Sequence, residues 1–229
     1  MLLAIDTSTR YAGVALADEE RVVSCRVWHS NMNHTMELMP QIAESLEAQD
    51  IDVASLEGVA VALGPGGFSA LRVGMSVAKG LAMTGRTKIV GVGTLDLEAF
   101  PFLDSGLPVC ALLEAGRNEL ATAHFAPGGE RTKEDIICPL EEILETITEP
   151  LLICGEGVHG RTQQIKEMLG HLAVVVQPSS AARLLSLVAI ARQRLESGQA
   201  DDLVDLQPYY LRMPSIGGPK IRDRKVQNA

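Results

Sequence analysis

What this chain lacks narrows its function before any motif is read. Its 229 residues hold no run of eighteen apolar residues, so no segment reads as a membrane-spanning helix. The amino terminus opens directly on a strand-like stretch at residues 2–5, without the basic region or cleavage site of an export signal, and a cytosolic protein is expected. Cysteine is sparse. Cys25, Cys110, Cys138 and Cys154 stand 85, 28 and 16 positions apart, not in the paired spacing of zinc or redox dithiols, so reduced and mostly buried thiols are expected. The five histidines, at 29, 34, 124, 159 and 171, never recur at helical spacing, so a helical metal pair is absent. No serine sits in a Gly-x-Ser-x-Gly elbow and no cysteine carries a nucleophile signature.

Positive charge is also short, with 20 Lys and Arg against 29 Asp and Glu. Residues 212–229 carry five cations (Arg212, Lys220, Arg222, Arg224, Lys225) and one anion (Asp223), a balance of +4 that leaves −13 on residues 1–211 to make the total of −9. An acidic body is a poor grip for RNA, because non-specific binding is driven by clustered lysine and arginine. The basic end, with its Gly-Gly-Pro start and no apolar period, reads as a solvated tail in preference to a nucleic-acid contact.

The strongest signal lies at residues 58–83, where a strand, a glycine turn and a nearly all-apolar helix follow one another. The valine-rich run 59–63 reads as a parallel strand buried on both faces. Gly64, Gly66 and Gly67 around Pro65 make a tight turn, and the helix runs from 69 or 70 to about 83, with Gly85 as its stop. The turn matches neither common phosphate fingerprint, since Ser69 stands where a third Rossmann glycine belongs and Phe68-Ser69-Ala70 where a P-loop ends. Backbone donors before a helix can still hold an anion, so phosphate loop and structural turn both stay open.

Strands are expected at 2–6, 11–17 and 22–28, followed by a helix at 34–49 that Asn33 could cap and Pro40 should kink. A strand at 88–92 and a helix at 94–100 close the first half. The second half opens on a hairpin of 109–114 and 120–125, with a strand at 135–138. It then alternates helix 140–147, strand 151–154, helix 158–169, strand 172–176 and helix 181–195, with Ser180 as cap and Gly198 as stop. A meander followed by alternating helix and strand thus occurs twice, which predicts two α/β lobes with a cleft between them, at residues 1–106 and 107–229.

Asp6, at the end of the first strand and followed by Thr7 and Ser8, could keep a carboxylate for magnesium in a kinase-like lobe, or could cap its own turn. Glu114 is a candidate second carboxylate. In the central helix Gly74, Ala78 and Ala82 recur every four residues and form a small-residue groove flanked by Leu71 and Met75, while Val73, Val77 and Leu81 point elsewhere. One side can cover the sheet and the other a neighbour. Alternatively both sides are internal, with the helix at 34–49 as the neighbour, and Met36, Met39 and Met75 then add an adaptable apolar patch.

These residues resemble a known family, the bacterial TsaB (YeaZ) proteins, which assist synthesis of threonylcarbamoyladenosine beside the tRNA anticodon. The resemblance spans nearly the whole chain. It rests on Ile5-Asp6-Thr7-Ser8 with Gly13-Val14-Ala15, on His34 with Leu38-Met39-Pro40, on the block from Gly64 to Gly74 with Ala78-Lys79-Gly80-Leu81-Ala82, and on Pro208-Tyr209-Tyr210-Leu211-Arg212. The chain departs where the family loop reads Ser, Thr and Gly and this one has Gly67, Ser69 and Ala70. It departs again where the second hairpin reads Asp-Ala-Arg and Glu114-Ala115-Gly116 stand here.

The resemblance implies a two-lobed fold of the actin, Hsp70 and sugar-kinase (ASKHA) type, and pairing with the catalytic paralogue TsaD and the ATPase TsaE. The paralogue carries a His-x-x-x-His pair just after the shared block. Here those two places hold Thr94 and Glu98, and a hydroxyl with a carboxylate cannot replace two imidazoles on iron or zinc. The expectation is a non-catalytic subunit without metal or cofactor, forming a homodimer when isolated and meeting tRNA only through the complex. Its interface would be Met36, Met39, Ala43, Leu71, Gly74, Met75, Ala78 and Ala82, and Met75→Glu should break docking without moving the thermal midpoint. Asp6, Thr7, Ser8, Gly64, Gly66 and Gly67 would be the frame of a vestigial nucleotide loop. The rival is a self-sufficient ATP-dependent phosphotransferase using Asp6 and the Gly64 turn.

Overall fold

A computed structural model describes residues 1–84 and 87–213. The expected stop at Gly85 and the basic run beyond Arg212 lie outside the described residues. The first sheet contains β1 (Leu2–Asp6), β2 (Tyr11–Ala17), β3 (Val22–His29), β4 (Gly58–Gly64) and β5 (Lys88–Gly93), in the order β3-β2-β1-β4-β5. The second contains β6 (Val109–Gly116), β7 (Glu119–Phe125), β8 (Ile136–Cys138), β9 (Leu151–Cys154) and β10 (Ala173–Val175), in the order β8-β7-β6-β9-β10. Strand for strand the two orders are the same. In each, a meander of three antiparallel strands is extended by two parallel ones, β4 and β5 or β9 and β10.

The period of two sorts the first sheet into two unlike faces. Leu3, Ile5, Val14, Leu16, Val59 and Val61 point to α1 (His34–Glu47) and α2 (Phe68–Thr84), which bring Leu38, Ile42, Leu46, Met75, Ala78 and Ala82. The opposite face is alanine-rich, with Ala4, Ala15, Ala17, Ala60 and Ala62, and its small side chains admit α6 (Ala182–Glu196) at close range through Leu184, Leu187, Val188 and Ala191. The second sheet packs α4 (Leu140–Glu145) and α5 (Thr162–Leu169) on one face, and α3 (Thr94–Ala99) on the other. α3 stands between the sheets, sending Leu97 to the first and Leu95 with Ala99 to the second.

The unit drawn from residue 107 onward therefore does not stay on its own lobe, because α6 follows the second sheet in sequence and covers the first. The segment after it, residues 199–213, also crosses back. Asp201 accepts from Gly91 N–H and Arg194, Tyr209 N–H donates to Leu63 O, and Arg212 then pairs with Glu119 of β7.

Two caps differ from expectation. Asn33 makes no side-chain cap bond and its N–H donates to Ser30 Oγ, while Ala181, not Ser180, precedes α6. α1 runs through Pro40 unbroken. Pro40 and Met36, whose carbonyl loses its donor, both lie on the solvent side, where water can serve that carbonyl. Among the described residues no helix is long and apolar enough to cross a membrane, and Cys25 is exposed while Cys110, Cys138 and Cys154 are buried.

Candidate functional site

The carboxyl ends of β1 and β4 meet the cleft between the lobes, and there the structure places a buried arginine that composition did not announce. Arg183, in the first turn of α6, donates Nε to Asp6 Oδ2 (2.8 Å), Nη1 to Glu98 Oε1 (3.0 Å) and Glu156 Oε2 (2.6 Å), and Nη2 to Thr9 Oγ1 (2.8 Å) and Tyr11 O (3.0 Å). A guanidinium has five N–H groups, and all five are used. The partners come from β1, the loop after it, the start of β2, α3 and the turn after β9, so one side chain joins both lobes. Asp6 is saturated from its other side as well, Oδ1 accepting Ser8 N–H and Ser8 Oγ–H.

Three carboxylates around one guanidinium leave an excess of negative charge in a site where Asp6, Glu98 and Arg183 are buried and Glu156 borders the cleft. Burial pushes the Glu98 carboxyl above its ordinary value, with Arg183 opposing only in part, so Glu98 takes up a proton more readily than a surface glutamate. Burial alone would lower the Arg183 value, but the charges of Asp6, Glu98 and Glu156 drive it well above the usual arginine range. Thr94, buried beside Gly93, has an Oγ1 without any hydrogen-bond partner among the described residues.

The glycine turn is bound into the same frame. Gly64 adopts φ +110° and lies under the Tyr209 carbonyl, a Cβ on Gly66 would run into the Ser8 carbonyl, and one on Gly74 into Thr7 Oγ1. Gly67 N–H donates to Ser8 O, and Thr7 Oγ1 to Ala70 O. Asp6, Thr7, Ser8, Gly64, Gly66 and Gly67 are thus brought together, but toward one another and toward Arg183. A nucleotide with magnesium does not fit this donor set, since Asp6 has both oxygens committed and Glu98 is held by the guanidinium. No three His, Cys, Asp or Glu side chains among the described residues are placed to hold a metal. Beside this frame an open cleft of about 690 Å³ is lined by Arg10, Met32, His34, Phe68 and Glu114. Glu114 is ion-paired with Arg161 and is not aimed at Asp6.

The helix pair differs from its expected use on one side. Met36, Met39 and Ala43 are exposed on α1, but Leu71, Gly74, Met75, Ala78 and Ala82 are buried inside the single chain. The small-residue stripe is small because the sheet and Thr7 approach it, not because a second protein does. Lys79 and Arg72 reach Val204 O and Tyr210 Oη on one flank of α2, Val73, Val77 and Leu81 are partly buried against the core, and Ser76, Gly80 and Met83 are exposed. Arg183 and Glu156 were not singled out from sequence. Arg183 does share the phase of Leu187 and Ala191, and a lone charge on a buried helical stripe is the signal that could have found it.

The family described as "TsaD: tRNA N6-adenosine threonylcarbamoyltransferase" matches residues 29–184. The tRNA threonylcarbamoyladenosine biosynthesis protein TsaB of Bacillus subtilis is 26% identical over 231 residues, covering 98% of this chain and 99% of that protein. The chain belongs to the TsaB (YeaZ) family. TsaB proteins are components of tRNA threonylcarbamoyladenosine biosynthesis, and the TsaB of Escherichia coli is 31% identical over 94 residues, 41% of this chain and 40% of its own. A tRNA N6-adenosine threonylcarbamoyltransferase of Geobacter sulfurreducens is 33% identical over 135 residues, 51% of this chain and 40% of the transferase. Among solved structures, YeaZ from Pseudomonas aeruginosa superposes with TM-score 0.71 at 23% identity, over 92% of this chain and 99% of that one. With EutJ of Carboxydothermus hydrogenoformans at TM-score 0.52 and 12% identity over 81% of this chain and 88% of that one, the neighbours bear out the two-lobed ASKHA-type fold.

Proposed function

We propose that this TsaB-family chain is a non-catalytic subunit that binds and activates a TsaD-type catalytic subunit for threonylcarbamoyl transfer to the adenosine next to the anticodon. The observation that carries this reading is Arg183, three of whose five hydrogen bonds occupy carboxylates that a phosphotransferase or metal-dependent transferase would need free. The rival phosphotransferase requires Asp6 to release Arg183 before it could hold a magnesium ion.

The docking face is the outer surface of α1 and α2, which exposes Met36, Met39 and Ala43 on the first helix and Ser76, Gly80 and Met83 on the second, with Val73 and Val77 half-buried. The transferase family's match runs through both helices, which supports pairing of like faces across a pseudo-twofold axis. Two copies of this chain pair through the same face when the catalytic subunit is absent. A TsaE-type ATPase joins the pair, and tRNA is met through the complex. The test is co-purification of the chain with its own TsaD-type partner. Met39→Glu places a charge in a desolvated contact, for which a loss above ~2 kcal/mol is reasonable, while the thermal midpoint stays in place. Normal partner binding by Met39→Glu would sink the docking face. Tight, Asp6-dependent binding of ATP and magnesium by the isolated chain would favour the rival.

A further inference from the structure

Every exposed large apolar side chain on α1 and α2, among the described residues, is a methionine: Met36 at 71%, Met39 at 46% and Met83 at 73%. Met32, at the head of α1, is 84% exposed. The buried apolar side chains of the same two helices are leucine, isoleucine, alanine and one methionine, Met75 at 5%. Leucine would serve an apolar contact equally well by area, so the choice of sulfur on the open side has a chemical consequence that burial does not explain.

A thioether sulfur reacts with a hydroperoxide by attacking the terminal peroxide oxygen. An S–O bond forms, the O–O bond breaks, sulfur gives up two electrons and water or an alcohol departs. The product, a sulfoxide, is polar and a strong hydrogen-bond acceptor, and thiol-dependent reductases return it to the thioether. Val73 and Val77 of α2, half-buried against the core that α1 shares, have side chains that offer no donor. A sulfoxide carried into such a contact loses its water and finds no replacement.

We propose that Met36 and Met39 are reversible oxidation sites through which hydroperoxides control docking of the catalytic subunit. The proposal rests on the α1–α2 docking reading. It couples two events in both directions, since oxidation of the free chain weakens assembly and assembly shields the sulfurs from oxidation. Met75 lies under the same helix but inside the core, and Met168, exposed at 45%, lies on α5 of the other lobe. These two serve as internal controls.

The experiment treats the free chain, and the chain mixed with its TsaD-type partner, with hydrogen peroxide. Peptide mass spectrometry reads oxygen addition at each methionine, and binding to the partner is then titrated. Met36 and Met39 should oxidise ahead of Met75 in the free chain and be protected in the mixture. Oxidised chain should bind at least about tenfold more weakly, as expected when a central contact is lost, and recover after treatment with sulfoxide reductase and thiol. The Met36→Leu, Met39→Leu double variant should keep its affinity after peroxide, whereas Met168→Leu should lose affinity as the parent does. Unchanged affinity after both sulfurs are oxidised overturns the proposal, as does a loss that persists in the double leucine variant. If Met39→Glu binds normally the docking reading itself fails. If that variant abolishes binding while oxidised chain binds normally, only the redox proposal fails.

Discussion

Arg183 Nε stands 2.8 Å from Asp6 Oδ2, with both side chains 3% exposed, although 177 positions separate them in the chain. The pair closes the first lobe against its last helix, and through Glu98 and Glu156 it carries the second lobe along.

Arg183→Met strands two buried carboxylates, Asp6 and Glu98, beside the partly exposed Glu156, and breaking a buried ion pair by removing one partner costs about 3–5 kcal/mol. Urea denaturation should show a loss of that order. Arg183→Lys should fall between, since an ammonium offers three donors to five acceptors. A methionine variant within about 1 kcal/mol of the parent would mean that water or relaxation replaces the cluster.

The pH dependence of stability should carry two opposite signatures. Glu98 has a folded value above its ordinary 4.5, so the folded state holds the proton longer than the unfolded chain, and stability falls as pH rises through that window. Glu98→Gln should flatten this slope and be at least as stable as the parent at neutral pH. A parent slope unchanged by the substitution would assign the proton elsewhere.

Burial lowers His124 from 6.5 to about 4, so the unfolded chain takes a proton first on acidification. Its contribution is complete above 6.5 and is lost as pH falls toward 4. In His124→Gln the denaturation midpoint should fall less between pH 7 and pH 4 than in the parent, and NMR titration of the ring should find no protonation near 6.5.

Two glycines should respond in opposite directions to the same methyl group. A Cβ on Gly66 meets the Ser8 backbone, which cannot give way, and Gly66→Ala should cost about 1–3 kcal/mol. Gly80 has nothing within 4 Å of such a Cβ, and Gly80→Ala should gain about 0.5–1 kcal/mol from helix propensity. If the second substitution also weakens partner binding without lowering the thermal midpoint, the α1–α2 groove gains independent support.

Met75→Glu and Met39→Glu separate the core side of the helix pair from its open side. The first buries a charge and should lower the thermal midpoint sharply, while the second should leave it in place. Equal midpoints would contradict the burial assigned to Met75.

The strands were legible because alternating or continuous apolar runs ended at glycine and proline, as at residues 58–64 with Gly64-Pro65. Helix ends were less so. The start of α5 hides behind a 3-10 turn and Gly160 at φ +75°, and Ser180 resembles a cap without serving as one. In α2 the period reveals two apolar stripes but not which one meets the sheet. The answer depends on Gly74 lying against Thr7, a contact between residues 67 positions apart. For the cleft, Asp6 and the glycine turn stood out because short-range chemistry marks them. Arg183 did not, since its role exists only once α6 has crossed between lobes.

That crossing has a consequence for how the chain is made. As the polypeptide emerges during synthesis, β1 through β5 are complete by residue 93, yet their alanine face has no cover beyond Leu97 of α3 until α6, ending at residue 196, has also emerged. For that interval the first lobe presents an unfinished apolar surface to the cell, and Asp6 waits without its counter-charge. The second lobe can fold before the first is closed. The last helix to appear is the one that completes the first sheet to form.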